Sequence, residues 1–366
     1  MKNKWPISFA AFWRSELTTS FRVNAAFKIC VLTILGFNQN CSAVLNEPTQ
    51  IAIDTSIITL SGLSAGGYMA NQFHLSHPEL VSGVGIIAAG PYGCARNSII
   101  TALAQCVNKA PETYPPNIAD ISEQFAGVSE FLRNDKVWLL HGTLDTRINA
   151  SVANTLYVQY SQIIDAENLD YINDKPFSHL FPKLNTGVNC EISESPFIGN
   201  CGYDAAGELL NFIADPLKPR ATKEEAASDG DLIKFAQAEL ANIEGAGMHK
   251  YGYVYVPKSC EGNNSQQACS LHLSFHGCNQ SIDNIDAQYA QNTGINEWAV
   301  TNNMVVLYPQ VAKSSIAPMN PQACWDWWGY TGENYSNKDA KQIHAVKTMV
   351  MGLQNYLNLQ NKNSAL

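Results

Sequence analysis

The segment Gly62-Leu63-Ser64-Ala65-Gly66-Gly67 lies between a short β-branched run, Ile57-Ile58-Thr59-Leu60, and a stretch in which Ala65, Met69 and Phe73 recur at four-residue spacing. A G-x-S-x-G pattern in that setting constrains the fold more than any other feature of the chain. It requires a strand that turns sharply into a helix, with the serine hydroxyl lifted above the sheet edge and glycines where a Cβ would clash with passing backbone. The same pattern in a plain loop would be an ordinary Gly-rich turn. Here it predicts Ser64 as a nucleophile.

Further apolar, β-rich runs bounded by turn residues occur at 84–89, 136–140, 251–257, 271–275 and 304–308, with helix-forming sequence among them. Strands alternating with helices imply an α/β protein with a mainly parallel sheet and helices on both faces. The stretch 216–250 reads as a connector between two halves of that sheet within one domain.

A nucleophilic serine needs a base, and the base needs an orienting acid. Where such a turn seats the serine, acid and base follow it in the order Ser, Asp, His on loops after strands. Asp145 fits the acid, because His141-Gly142-Thr143-Leu144-Asp145 leaves the end of the run 136–140, whereas Asp135 precedes that run. Of the eight histidines, His74, His77 and His141 come before Asp145, His272 lies inside a strand, His344 sits on the terminal helical stretch and His249 introduces a hairpin. His179 and His276 remain.

His276 ends the run Leu271-His272-Leu273-Ser274-Phe275-His276-Gly277-Cys278. A strand ending in His-Gly is a way of building an oxyanion loop, whose backbone N–H acts with that of the residue after the nucleophile. That loop normally precedes the serine. Its late position here, with few residues ahead of Ser64 for the usual earlier strands, makes sense if the fold is circularly permuted, since contacts rather than chain order define a site.

Before the first strand, Lys2, Lys4, Arg14, Arg22 and Lys28 precede an apolar run at 29–37 and the small-residue site Cys41-Ser42-Ala43. That order predicts a secretory signal over residues 1–43 and a single catalytic domain over 44–366. The chain holds 23 Lys/Arg and 32 Asp/Glu; residues 1–43 take five and one of these, leaving 18 against 31 and a net charge of −13 for the remainder. Nucleic acid is therefore excluded as a partner, and no run of the length a membrane span needs is present. Of ten cysteines, Cys30 and Cys41 fall in the signal and eight remain. Proximity pairs Cys94 with Cys106, Cys190 with Cys201 and Cys260 with Cys269, leaving Cys278 with Cys324, as expected in an oxidising compartment. No C-x-x-C or histidine at ligand spacing accompanies them, so neither metal nor cofactor is expected.

Several blocks together resemble one family. Gly-Leu-Ser-Ala-Gly-Gly at 62–67, Tyr253-Val254-Tyr255-Val256-Pro257 before Cys260, Leu271-His272 through His276-Gly277-Cys278, and Cys324-Trp325-Asp326-Trp327 are similar to the permuted type of extracellular poly(3-hydroxybutyrate) depolymerase, over about residues 57–355. The resemblance implies a circularly permuted α/β-hydrolase fold. It also implies Ser64 as nucleophile, Asp145 as acid and His179 as base, with the amides of Ala65 and Cys278 as the oxyanion hole. Tryptophans of the 325–328 segment then line the substrate crevice.

An uncharged polyester or oligoester would suit a crevice walled by Trp325, Trp327, Trp328 and Tyr330, since aromatic rings bury large area at small entropic cost. Cys324 and Asp326 in the same run are expected to anchor the loop. The expected protein is a secreted monomer, with the periplasm as the other compartment, working without cofactor through an acyl-enzyme. Many bacterial members append a separate polymer-binding domain, whereas here a helical stretch runs to Leu366, which directs expectation toward amorphous granules, oligomers or other esters. Two rival functions are a secreted esterase acting on acetyl or feruloyl groups of plant cell walls and a non-catalytic surface-binding protein on the same fold.

Overall fold

The structure is a computed structural model that describes residues 50–109, 131–214, 216–262 and 268–364; the expected signal segment, with Cys30 and Cys41, lies outside them. Its strands in chain order are β1 Ile53–Leu63, β2 Val81–Ile87, β3 Lys136–Leu140, β4 Leu169–Ile172, β5 Phe181–Lys183, β6 Val188–Asn189, β7 Ile198–Asn200, β8 Gly230–Ala236, β9 Tyr251–Pro257, β10 Cys269–Phe275 and β11 Met304–Tyr308. Eight of them form one sheet in the order β4-β3-β2-β1-β10-β11-β9-β8, and β5, β7 and β6 form a small second sheet. Pairing is parallel from β4 through β11 and antiparallel only at β11–β9 and β9–β8.

This order carries the permutation. β1, early in the chain, occupies the middle of the sheet, and its partner on one side is β10, more than two hundred residues later. The half of the sheet from β10 to β8 is therefore built from sequence that follows the half from β1 to β4, as a circularly permuted α/β-hydrolase fold requires.

Side chains alternate across the sheet with the strand period of two. Val137 and Leu139 enter one core with Leu60, Val84, Val305 and Leu307, while Trp138 and Leu140 enter the other with Leu63, Ile87, Val306 and Tyr308. Helix α1, Ala65–Ser76, and the helix Lys341–Ser364 cover the first face; the helix Ala205–Ile213 covers the second. Sequence spacing predicts a single apolar face for α1, yet every one of its residues is buried. Two of its polar side chains find partners inside the protein: Gln72 Nε2 donates to the Asp326 carbonyl at 2.9 Å, and His74 Nε2 lies 3.0 Å from Asp135 Oδ2.

The connector expected at 216–250 is corrected. It contains the helix Lys223–Ser228 and the edge strand β8, hydrogen-bonded to β9 along its whole length. Among the described residues four disulfides join Cys94 to Cys106, Cys190 to Cys201, Cys260 to Cys269 and Cys278 to Cys324, the pairing that proximity gives. Among the described residues no helix is long and apolar enough to cross a membrane.

Two buried histidines make stability depend on pH. His272 on β10 shares 2.8 Å hydrogen bonds with the hydroxyls of Thr59 and Ser61 on β1, and burial pushes its pKa down to about 3. Burial likewise pushes His276 down to about 4. An unfolded histidine titrates near 6.5, so below that pH the unfolded chain binds two protons that the native chain refuses. Stability must then fall with falling pH, by up to about 1.4 kcal/mol per pH unit for each histidine between roughly pH 6 and 4. Thermal melts from pH 7 to 4.5 should show a steep decline that is shallower in His272→Gln; a melting temperature flat over that range would contradict neutral burial.

Candidate active site

β1 ends at Leu63 and α1 begins at Ala65, leaving Ser64 alone to make the turn at φ 57° and ψ −122°. A non-glycine residue there costs of order 1–3 kcal/mol, and such strain persists only where its surroundings fix it. Those surroundings are specific. The Ser64 amide donates to the Ile87 carbonyl at 2.9 Å, and the Ser64 carbonyl accepts from Tyr68 N–H at 3.0 Å. A Cβ at Gly62 would fall 2.1 Å from the Gly66 carbonyl oxygen, and one at Gly66 would fall 2.1 Å from the Phe275 carbonyl oxygen. Both glycines of the motif are therefore required by backbone passing backbone, the second where α1 crosses the end of β10.

Asp145 sits in the turn that follows β3, its own amide donating back to the Gly142 carbonyl at 3.1 Å. The amides of Thr143 and Leu144 donate to the carbonyls of Lys175 and Phe177, which stitches this loop to the one bearing His179. His179 Nδ1 is 2.8 Å from Asp145 Oδ2, while Oδ1 accepts from the amides of Arg147 and Ile148 at 2.8 and 2.9 Å. The Asp145 carboxyl is 0% exposed. Burial opposes its charge, but the His179 ring beside it and the amide of Ile148 hold its pKa below the usual carboxylate value. His141, which chain order alone sets aside, lies behind the pair with Nδ1 3.9 Å from Asp145 Oδ2, and burial pushes its pKa down.

The loop after β10 closes the other side. A Cβ at Gly277 would sit 3.4 Å from the Ser64 Cβ, so the 271–278 segment adjoins the serine directly. His276 Nδ1 is 2.8 Å from the Gly277 carbonyl and its Nε2 3.3 Å from the Val311 amide. A carbonyl only accepts and an amide only donates, so the proton is on Nδ1 and the ring is neutral. His276 is thus a brace for the loop, and His179 is the histidine that meets the acid. Among the described residues neither the Ala65 nor the Cys278 amide has a protein acceptor. Gln280, which sequence gives no reason to single out, fixes the loop: its Oε1 accepts from Gly277 N–H at 2.8 Å and its Nε2 donates to the Pro196 carbonyl at 2.8 Å.

Ser64, Ala65, His179 and Cys278 line one cleft of about 430 Å³. Trp327 and Trp328 line it too, with Tyr68, Ile99, Leu103 and Phe197. Trp327 stacks on Tyr68 with ring centroids 4.8 Å apart, one helical turn beyond Ser64. The expectation for Trp325 and Tyr330 is corrected. Trp325 is 0% exposed and packs edge-on against Phe275 at the end of β10. The Tyr330 hydroxyl donates to the Cys324 carbonyl at 2.9 Å and accepts from Gln342 Nε2 at 2.8 Å, so it ties down the segment instead of facing the cleft. Asp326 anchors the same segment by accepting from the amides of Trp328, Gly329, Tyr330 and Thr331.

Comparison with known proteins places this geometry in context. Residues 253–358 match the family model described as Esterase PHB depolymerase. The chain is 36% identical over 314 residues to the poly(3-hydroxybutyrate) depolymerase of Delftia acidovorans, covering 84% of this chain and 61% of that protein. It is 35% identical over 344 residues to the polyhydroxybutyrate depolymerase of Talaromyces funiculosus, covering 89% of this chain and 98% of the relative. Among solved structures, a PHB depolymerase complexed with an R3HB trimer superimposes with a TM-score of 0.74 at 34% identity, covering 82% of this chain and 96% of that one. The PHB depolymerase from Penicillium funiculosum gives 0.72 at the same identity and coverage.

Proposed function

The chain belongs to the poly(3-hydroxybutyrate) depolymerase family, and from that premise we propose that it is an exported serine esterase hydrolysing poly(3-hydroxybutyrate) and its oligomers. The observation that carries the assignment is the convergence of a strained Ser64 and an acid-paired His179 on one apolar cleft. His179 Nε2 takes the Ser64 proton, its Nδ1–H being held by Asp145. The alkoxide attacks an ester carbonyl, and the oxyanion is received by the amides of Ala65 and Cys278, neither of which has another acceptor among the described residues. His179 then protonates the departing oxygen, so the fragment that leaves gains a 3-hydroxyl end and keeps the carboxyl end of the chain. Water repeats the sequence on the acyl-enzyme.

Residues 44–366 form the catalytic domain and residues 1–43 the export signal in this account. Four disulfides agree with an oxidising destination. Trp327 and Trp328, held beside the serine by the Cys278–Cys324 link and the Asp326 anchor, supply apolar area to an uncharged polyester. All these groups come from one chain, so no second copy is needed.

Purified protein should cleave 3-hydroxybutyrate oligomers in preference to acetylated xylan and feruloyl esters. Trp328→Ala should lower oligomer hydrolysis at least about tenfold more than hydrolysis of a short p-nitrophenyl ester, because distant binding energy is used only when substrate reaches the ring. Trp325→Ala should differ: loss of a buried tryptophan costs about 3–5 kcal/mol of stability and reduces both activities together. Preference for the feruloyl or acetyl substrates would overturn the polyester assignment.

A further inference from the structure

Among the described residues lining the cleft, Arg147 is the one Lys or Arg, and no Asp or Glu lines it. This is unexpected in two ways. The domain carries strong net negative charge, with 18 Lys/Arg against 31 Asp/Glu over residues 44–366, and the polyester backbone offers ester oxygens but no charge for a cation to pair with. Arg133 and Arg220 have carboxylate partners in Asp165 and Asp204. No such partner stands within ion-pair distance of Arg147 among the described residues. Its guanidinium is nevertheless held in place: Nε donates to the Ser193 hydroxyl at 2.7 Å, Nη2 reaches the Ser193 carbonyl at 3.4 Å, and the group lies 5.3 Å over the Phe197 ring. Among the described residues no hydrogen bond engages Nη1.

We propose that Arg147 binds the terminal carboxylate of the oligoester being cleaved, and so directs cleavage toward the carboxyl end of short chains. A 3-hydroxybutyrate oligomer has a single charged group, the carboxylate at one end, which matches a guanidinium in charge and in bidentate shape. The position is also on the correct side of the reaction. Arg147 follows the acid by two residues, and Ser193, to which it is bonded, donates in turn to the His179 carbonyl at 3.1 Å. The departing oxygen must be next to His179 to receive its proton, and the fragment attached to that oxygen is the one that keeps the carboxylate. Arg147 therefore stands where the charged end of the leaving fragment comes to lie.

This inference rests on the polyester reading of the cleft, and one experiment separates the two. The 3-hydroxybutyrate trimer is compared with its methyl ester, following cleavage of internal ester bonds by chromatography at low salt and neutral pH. The wild-type enzyme is expected to favour the free acid by about fivefold in kcat/KM, since one partly exposed charge pair is worth little more. In Arg147→Gln the ratio of acid to methyl ester should fall to near one, and Arg147→Lys should keep part of it. High salt should shrink the wild-type ratio. A ratio that is near one in the wild type, or that survives in Arg147→Gln, overturns the carboxylate site; so does an equal loss on both substrates, which would make Arg147 a brace for His179 through Ser193. Failure of the wild type to cleave either trimer while it still cleaves p-nitrophenyl esters overturns the polyester reading itself.

Discussion

Replacing Ser64 with alanine is expected to lower kcat for ester hydrolysis by about a millionfold while leaving the melting temperature within a degree or two of the wild type. Among the described residues the serine side chain makes no hydrogen bond on which the fold depends. What holds the turn is backbone: the Ser64 amide on the Ile87 carbonyl, the Tyr68 amide on the Ser64 carbonyl, and the close passages at Gly62 and Gly66. Alanine inherits the same positive φ and the same contacts, so only the hydroxyl is lost. A residual rate above water should remain, because the cleft and the two amides proposed as the oxyanion hole do not depend on the Ser64 hydroxyl. Measuring kcat together with a thermal melt checks both halves. Activity within tenfold of the wild type would exclude Ser64 as nucleophile.

Asp145→Asn should cost about ten-thousandfold in kcat, again with the fold retained. The reason is a tautomer. Oδ1 of Asp145 is fixed by two donors, the amides of Arg147 and Ile148, so an asparagine must turn its oxygen toward them and its NH2 toward His179. The imidazole then has to accept at Nδ1, which moves its proton to Nε2, the atom that should receive the Ser64 proton. His141 cannot substitute, since it stands behind the carboxylate at 3.9 Å from Oδ2 and burial disfavours its charged form. A loss of less than about a hundredfold in the Asn variant, at a pH where the wild type is fully active, would mean that another group orients His179.

The parts legible in sequence are those whose chemistry is local. The serine turn announces itself because glycine is the only residue that lets backbone pass at 62 and 66, and the central strands do so because burial on both faces makes them rich in apolar residues. Edge strands are harder. β8 carries Asp231 and Lys234 and is only partly buried, so its alternation is weak, and β4 at the opposite edge is missed for the same cause. Residue type also cannot separate His179 from His276: one ends beside a carboxylate and the other under a carbonyl and an amide, a difference made by tertiary contacts alone. The tryptophans pose the same problem, since Trp325 and Trp328 lie three residues apart in one run and yet point to core and cleft. Arg147 and Gln280 carry no motif, and only the folded chain brings them to the site.

Ser64 as the reactive group, in a cleft that takes 3-hydroxybutyrate chains, is open to one direct measurement. Inactivating the enzyme with a phosphonylating reagent, with and without excess 3-hydroxybutyrate trimer, and locating the adduct by peptide mass spectrometry addresses both points at once. The predicted result is one adduct, on the peptide containing Ser64, forming more slowly when trimer is present. Labelling at another residue, or a labelling rate indifferent to the trimer, would contradict it.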